Sequence, residues 1–259
     1  MSTAYPTIQL DLPVGKKAYF ASDFHLGAPD MSKSRIREKK IVQWLQEIRP
    51  QTGALFLVGD LFDFWFEYKH VVPKGYTRFL AEVSRFVDDK IPVYVYTGNH
   101  DIWMFDYLQD ELGVEVLYQP VIFQMNGQRF FVGHGDGLGP GDTKFKFLKK
   151  VFTFPLFQWM FGWVHPNVGV GIAQTWSNHS RTNPEEEVFM GEEKERLIVF
   201  AKEQLAVHPA NYYIFGHRHL PMDIRIGKDA RYINLGDWIY NFTYLEYDGT
   251  QVELKKYQE

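Results

Sequence analysis

Five short polar motifs, each standing where an apolar run of the chain ends, constrain the fold of this 259-residue protein more than any other feature. In order they are Asp23-Phe24-His25, Gly59-Asp60, Gly98-Asn99-His100-Asp101, Gly133-His134-Gly135-Asp136 and Gly216-His217-Arg218-His219. The runs before them include Lys17 to Ser22, Ala54 to Val58, Pro92 to Tyr96 and Tyr212 to Phe215, short enough and apolar enough to be buried strands. In open α/β sheets the carboxyl ends of strands line the ligand crevice, so residues scattered over about 200 positions converge there. Glycine beside a ligand lets the backbone turn tightly and come close to a metal.

Taken singly, a Gly-Asp or Asp-x-His is as ordinary as any turn or cap. Together they gather five of the nine histidines into one pattern. The chain has no cysteine, which excludes disulfides and thiolate ligands and leaves His, Asp, Glu, Asn and backbone oxygen for any metal. Hard oxygen ligands mixed with imidazoles suit Mn²⁺, Mg²⁺, Fe²⁺ or Zn²⁺.

Between the motifs, Arg35 to Ile48 places Ile41, Trp44, Leu45 and Ile48 on one helical face, and Tyr76 to Asp88 does the same with Phe79, Leu80, Val83, Phe86 and Val87. A short helix is predicted near Ile102 to Gln109. Val121 to Met125 and Arg129 to Val132 flank Asn126-Gly127, a type I′ hairpin signal, so the sheet is mixed. Thr143 to Ala206 reads as helical with breaks at Pro155, Pro166 and Pro184, an insertion over the sheet at about residues 143–206. Asp223 to Ile226, Arg231 to Leu235, Phe242 to Tyr247 and Gln251 to Lys255 read as antiparallel strands. The prediction is one α/β domain, 1–259, with mixed sheets.

The formal net charge of -4 gives no reason to expect nucleic acid as a partner. Met1 to Gly15 lacks a basic n-region followed by an apolar core, so a cytoplasmic protein is expected. Val151 to Val164, the longest uncharged apolar stretch, contains Pro155 and falls short of the roughly 18 residues that span a bilayer.

In the order D-x-H, G-D, G-N-H-D, G-H and G-H-x-H, the five motifs resemble those of the calcineurin-like metallophosphatases, and the match is complete. The resemblance implies a four-layer α-β-β-α sandwich and two divalent ions, Mn²⁺ first among the candidates. Carried over position by position, it gives Asp23, His25, Asp60 and His219 to one ion and Asp60, Asn99, His134 and His217 to the other. Asp60 is the carboxylate that bridges a pair of ions about 3.5 to 4 Å apart. His100, outside the ligand set, is the candidate to stabilise transition-state charge or protonate the leaving oxygen, with Asp101 orienting it or capping the following turn.

A second layer of resemblance covers nearly the whole chain. Ser22-Asp23-Phe24-His25-Leu26-Gly27, Gly59-Asp60-Leu61-Phe62-Asp63-Phe64-Trp65, His134-Gly135-Asp136-Gly137-Leu138-Gly139 and Leu235-Gly236-Asp237-Trp238 are similar to segments of the UDP-2,3-diacylglucosamine hydrolases of lipid A synthesis. The resemblance implies cleavage of the diphosphate of a lipid-linked sugar nucleotide to UMP and 2,3-diacylglucosamine 1-phosphate, by water attacking the nucleotide-side phosphorus. It also implies peripheral contact with the inner face of the cytoplasmic membrane. Two positions depart from the best-known branch, His100 standing where that branch has Arg and Asp63 where it has Glu.

The insertion gathers a dozen large apolar side chains edged by lysines, a composition suited to acyl chains or a membrane interface, or to a helix pair packed on the sheet. Substrate-contact candidates are Asp142, Lys144, Lys149, Phe152, Phe157 and Trp163, with His179 and Arg181 either meeting the diphosphate or ending a solvated helix. Asp63 reads as a helix cap. Two rival functions are a soluble phosphoesterase for nucleotides or small diesters and a non-catalytic scaffold of the same fold. Intact ligand motifs weigh against the scaffold.

Overall fold

The computed structural model describes residues 4–141, 143–172 and 188–258. Its strands, in chain order, are β1 (Thr7–Gln9), β2 (Lys17–Ala21), β3 (Thr52–Val58), β4 (Val93–Tyr96), β5 (Glu115–Leu117), β6 (Val121–Met125), β7 (Gln128–Val132), β8 (Tyr212–Phe215), β9 (Met222–Arg225), β10 (Arg231–Asn234), β11 (Thr243–Tyr247) and β12 (Val252–Lys256). They form two six-stranded sheets, ordered β12-β11-β2-β3-β4-β5 and β1-β6-β7-β8-β10-β9. The helices are α1 (Met31–Ile48), α2 (Thr77–Asp88), α3 (Tyr107–Leu112), α4 (Thr143–Phe152), α5 (Pro155–Phe161), α6 over residues 166–172, and α7 (Arg196–Val207).

The central strands read as unbroken apolar runs because both of their faces are covered. Along β3, Leu55 and Leu57 pack with Ile41 and Trp44 of α1 and Phe79 and Val83 of α2. Their neighbours Ala54, Phe56 and Val58 point the other way, into the space between the sheets. There Phe56 stacks on Phe20 at 4.3 Å and meets Phe123 of the opposite sheet edge-on at 4.9 Å. On the far side, Phe131, Tyr213 and Phe215 pack under Leu197, Ile198 and Phe200 of α7. The layers therefore run helix, sheet, sheet, helix, and much of the high aromatic content is core.

Several boundaries differ from the sequence reading, each for a local reason. Helix α1 starts at Met31, four residues earlier than expected, because Asp30 caps it by accepting from the N–H groups of Ser32 and Lys33. Helix α3 starts late, at Tyr107: the Glu67 carboxylate accepts from Phe105, Asp106 and Tyr107 N–H and fixes the start from a distant loop. The Asn126-Gly127 turn is type I′ as read, both residues having positive φ. The tail does not form one antiparallel unit, since β9 and β10 finish one sheet, with β10 parallel to β8, while β11 and β12 edge the other. The three-residue strands β1 and β5 went unforeseen.

Helical patterning from Thr143 to Ala206 runs together two structures. Helix α7 is the outer layer of the second sheet. Helices α4 and α5 contain no buried residue and rest on loops beyond β3 and β4. Phe161 stacks on Trp103 at 4.9 Å and approaches Phe66 at 4.8 Å, and the Trp103 indole N–H donates to the Phe152 carbonyl at 2.8 Å.

Candidate metal centre and active site

Strands β2, β3 and β4 are mutually parallel in one sheet, and β7, β8 and β10 in the other. Their carboxyl ends deliver the motifs into one cleft. To turn there, five polar residues take left-handed backbone angles: Asp23 (φ 56°), His25 (43°), Asp60 (51°), His217 (67°) and His219 (54°). Residues other than glycine seldom adopt that region, and such strain collects at functional sites. Cross-strand hydrogen bonds hold it in place. Asp23 N–H donates to the Gly59 carbonyl at 3.0 Å and His25 N–H to that of Asp60 at 2.9 Å. The Arg37 guanidinium, buried in α1, donates to the His25 and Ala28 carbonyls.

The motif glycines serve each other's ligands. A Cβ on Gly98 would lie 2.1 Å from Asp60 Oδ1, one on Gly216 2.5 Å from Asp23 Oδ2, and one on Gly59 2.4 Å from His134 Nδ1. Each gap is the room that a ligand from another strand end occupies, the neighbouring strand for Gly98 and the opposite sheet for Gly216 and Gly59.

Two clusters meet at Asp60. Asp23, His25, Asp60 and His219 form one, and Asp60, His134 and His217 the other. His219 Nε2 is 3.2 Å from Asp23 Oδ1, and His134 Nε2 is 3.3 Å from Asp60 Oδ2. The His25 and His219 Nε2 atoms face each other at 3.1 Å, an approach that asks for a proton or a cation between them. Because the Val58 carbonyl can only accept, His134 Nδ1 at 2.8 Å from it must donate. That leaves His134 Nε2, buried and without a hydrogen-bond partner among the described residues, as the nitrogen that can turn a lone pair to a metal once it gives up its proton. Asn99 Oδ1 is likewise buried and unpartnered among the described residues. These orphaned atoms and the oxygen-imidazole donor set fit divalent ions.

The electrostatics agree. Burial opposes charge on Asp60, yet His134 and His100 outweigh it and hold the carboxyl well below its usual range. Burial, with His100 beside it, pushes His25 down to about 3, and burial, with His134, pushes His217 down to about 4, so both rings are neutral donors. His134 goes the other way: burial lowers it, but Asp60 and Asp23 carry it up to about 10.

His100 lies beside the first cluster, its ring 4.7 Å from that of His25. Asp101, expected to orient it, is engaged with backbone groups. Both Asp101 oxygens accept backbone N–H groups, Gly98 at 2.7 Å and Leu61 and Phe62 at 2.7 and 3.3 Å, tying the β3 and β4 loops together. Burial and nearby Asp60 raise that carboxyl to about 7. Asp63 is the acidic residue beside the His100 ring: its carbonyl is 3.1 Å and its Oδ1 3.6 Å from His100 Nδ1. The same Oδ1 is 3.6 Å from His25 Nδ1. Sequence reasoning missed this, and its one available signal was the spacing of Asp63 three residues after Asp60. It also missed Glu195, whose buried carboxylate binds Arg218 twice at 2.9 Å, between the two ligand histidines of the last motif.

Of the substrate-contact candidates, Lys149 reaches the cleft and pairs with Asp136 at 2.6 Å. Lys144 is exposed at the start of α4. Phe152 packs against Trp103 at 5.5 Å as an anchor of the insertion, whereas Phe157 and Trp163 face outward, Trp163 at 77% exposure. Asp142, His179 and Arg181 lie outside the described residues.

With this geometry in view, residues 16–221 match the family described as calcineurin-like phosphoesterase. A UDP-2,3-diacylglucosamine hydrolase of Porphyromonas gingivalis is 37% identical over 257 residues, spanning 94% of this chain and 98% of that protein. One from Shewanella baltica is 25% identical over 222 residues, 86% and 89% of the two chains. Among solved structures, the Escherichia coli phosphoesterase Yfce covers 89% of this chain and 87% of its own at 16% identity and a TM-score of 0.42, too loose a match to carry an argument.

Proposed function

The chain belongs to the calcineurin-like phosphoesterase family and is a metal-dependent hydrolase, and from that premise we propose that it cleaves the diphosphate of UDP-2,3-diacylglucosamine into UMP and 2,3-diacylglucosamine 1-phosphate. The observation that carries the two-ion form of this reading is Asp60, common to both ligand clusters and fully within the cleft. Asp23, His25, Asp60 and His219 would hold one divalent ion, and Asp60, Asn99, His134 and His217 the other, with Mn²⁺ the first choice for this donor set. Bound ions supply phosphoryl polarisation and water activation, so no protein nucleophile is needed.

The chain's own residues do the rest. Asp63 fixes His100 through Nδ1, whose N–H donates to the Asp63 carbonyl, so the doubly protonated ring gives its Nε2 proton to the departing oxygen and is left neutral. Asp101 and the Asp60 carboxylate hold the β4 loop, Asp60 Oδ1 accepting from His100 N–H at 2.9 Å, so that acid and ligand move as one body. The outward aromatics of the insertion receive the acyl chains and contact the membrane surface. No helix among the described residues is long and apolar enough to cross a membrane.

The test is product analysis in H₂¹⁸O with metal-loaded protein. UMP carrying one ¹⁸O is expected, from attack on the nucleotide-side phosphorus. Failure to release UMP from UDP-2,3-diacylglucosamine with any of the four metals, alongside cleavage of a small aryl diester, would replace this reading with a general phosphoesterase.

A further inference from the structure

Where the chain leaves β8, the left-handed residues His217 and His219 flank an arginine. The two histidines serve different clusters, His217 the one with His134 and His219 the one with Asp23 and His25. Arg218 between them turns to the start of α7. There Glu195, the residue before the first turn of that helix and 1% exposed, takes the guanidinium on both oxygens, Nε donating to Oε2 and Nη2 to Oε1, each at 2.9 Å. A planar fork on a carboxylate fixes direction as well as distance.

We propose that Arg218, gripped by Glu195, is a positioning residue that sets the spacing of the two metal sites by holding the backbone turns of His217 and His219. The inference rests on the two-ion reading above and adds to it a clamp that stands outside the ligand set.

The strain in this tripeptide needs something to hold it, because two left-handed residues other than glycine persist only where their surroundings enforce them. Its ends are held by His217 N–H donating to Asp23 Oδ2 at 3.0 Å and by the Asn241 amide donating to the His219 carbonyl at 2.8 Å. Its middle is held by Arg218, through N–H to the Gly216 carbonyl at 2.8 Å and through the side chain to Glu195. Glu195 in turn stands on a fixed post. Leu197 of the same turn is buried so close to Gly135 that a Cβ added there would lie 2.9 Å from it, and a Cβ on Gly139 would strike the Arg196 carbonyl. The start of α7 therefore backs the loop that carries His134 as well as the loop that carries His217 and His219. Around the pair, Arg218 Nη2 also donates to the Val188 carbonyl and Met190 N–H to Glu195 Oε1, each at 3.1 Å. A pair this buried, 14% and 1% exposed, is costly to break from one side.

The test is titration of the metal-free, full-length protein with Mn²⁺, read by calorimetry and by electron paramagnetic resonance, in the wild type, Arg218→Lys, Glu195→Gln and Arg231→Lys. Arg231 is the control, since it makes the same two-pronged contact with Asp223 at the edge of the same sheet. In the wild type, two ions sharing Asp60 should give a spin-coupled signal. Arg218→Lys keeps the charge that Glu195 needs, so the fold survives, but loses the fork. Its Mn²⁺ affinity should fall roughly 10- to 100-fold, as when a residue that supports a ligand is lost, with the signal of isolated Mn²⁺ appearing at two equivalents. Glu195→Gln should change both readouts in the same direction. Arg231→Lys should lower Tm and leave affinity and coupling as they are. A lowered Tm in Arg218→Lys and Glu195→Gln with wild-type affinity and coupling would reduce the pair to a tie for α7 and overturn the proposal. An equal loss of Mn²⁺ affinity in Arg231→Lys would overturn it too. A wild type that shows isolated Mn²⁺ at every loading would overturn the two-ion reading instead, and the clamp would still be read from the variants' affinity for the single ion.

Discussion

The metal cleft and the helical insertion are built by opposite means. In the cleft, polar side chains are mostly buried and the loops that carry them are braced: Asp23 and His25 are tied to the next strand's loop by backbone hydrogen bonds, and Asp101 gives its whole carboxylate to N–H groups. In the insertion, apolar side chains face outward and the helices bury nothing of their own, anchored through Trp103, Phe152, Phe161 and the Lys149–Asp136 pair. The cleft spends stability on holding charge in a fixed geometry. The insertion leaves uncovered the surface that its sequence would otherwise bury, and a large exposed apolar patch marks a site of interaction.

The contrast breaks most sharply at Asp60. Asp60→Ala removes the shared carboxylate from both clusters, and activity should fall to background while metal content, read by elemental analysis, drops from close to two ions per chain to one or fewer. A wild-type stoichiometry that never exceeds one would remove the two-ion centre altogether. Next in size is His100→Ala, expected to keep its metals and lose on the order of 10² to 10⁴ in kcat. Asp63→Asn should follow it at roughly 10- to 100-fold, as for an orienting partner. Loss of metal in His100→Ala would make it a ligand.

On the insertion side, substituting Phe157, Trp159 and Trp163 by Ser spares the Phe152 anchor and should lower the preference for the diacylated substrate over UDP-glucosamine. With roughly four buried methylenes at about 0.8 kcal/mol each, the loss is about 3 kcal/mol, or on the order of a hundredfold in the ratio of kcat/KM values. Equal kcat/KM for the two substrates in the wild type would deny the insertion any acyl role. The smallest effect is one of pH. With His134 carried up to about 10, an incoming ion must displace its proton at neutral pH, so apparent metal affinity should rise about tenfold per pH unit below that value. Calorimetry in two buffers of different ionisation enthalpy reads the proton released; none released would contradict the raised value.

What the chain disclosed before folding follows the same division. Strands β2, β3, β4 and β8 are covered on both faces, so their composition alone marks them, and each ends at a motif whose residues the cleft then gathers. Strands β1 and β5 have three residues apiece and lie near or at sheet edges, too short for a pattern to emerge. Asp63 was hidden because its neighbours Leu61, Phe62 and Phe64 make it look like a cap, and only folding brings it to His100. Helix α7 and the insertion share one helical period, and nothing in that period says which face meets a sheet and which is left bare.

The glycines that make room for one another's ligands turn five motifs into an interlocked set. A methyl group on Gly98 would evict Asp60 as surely as deleting Asp60 itself, and Gly216 and Gly59 stand in the same relation to Asp23 and His134. A scan for loss of activity would therefore score these glycines as though they bound metal. Transplanting the centre into another scaffold would mean moving strand ends of both sheets together, because none of these three ligands stands in the motif that supplies its space.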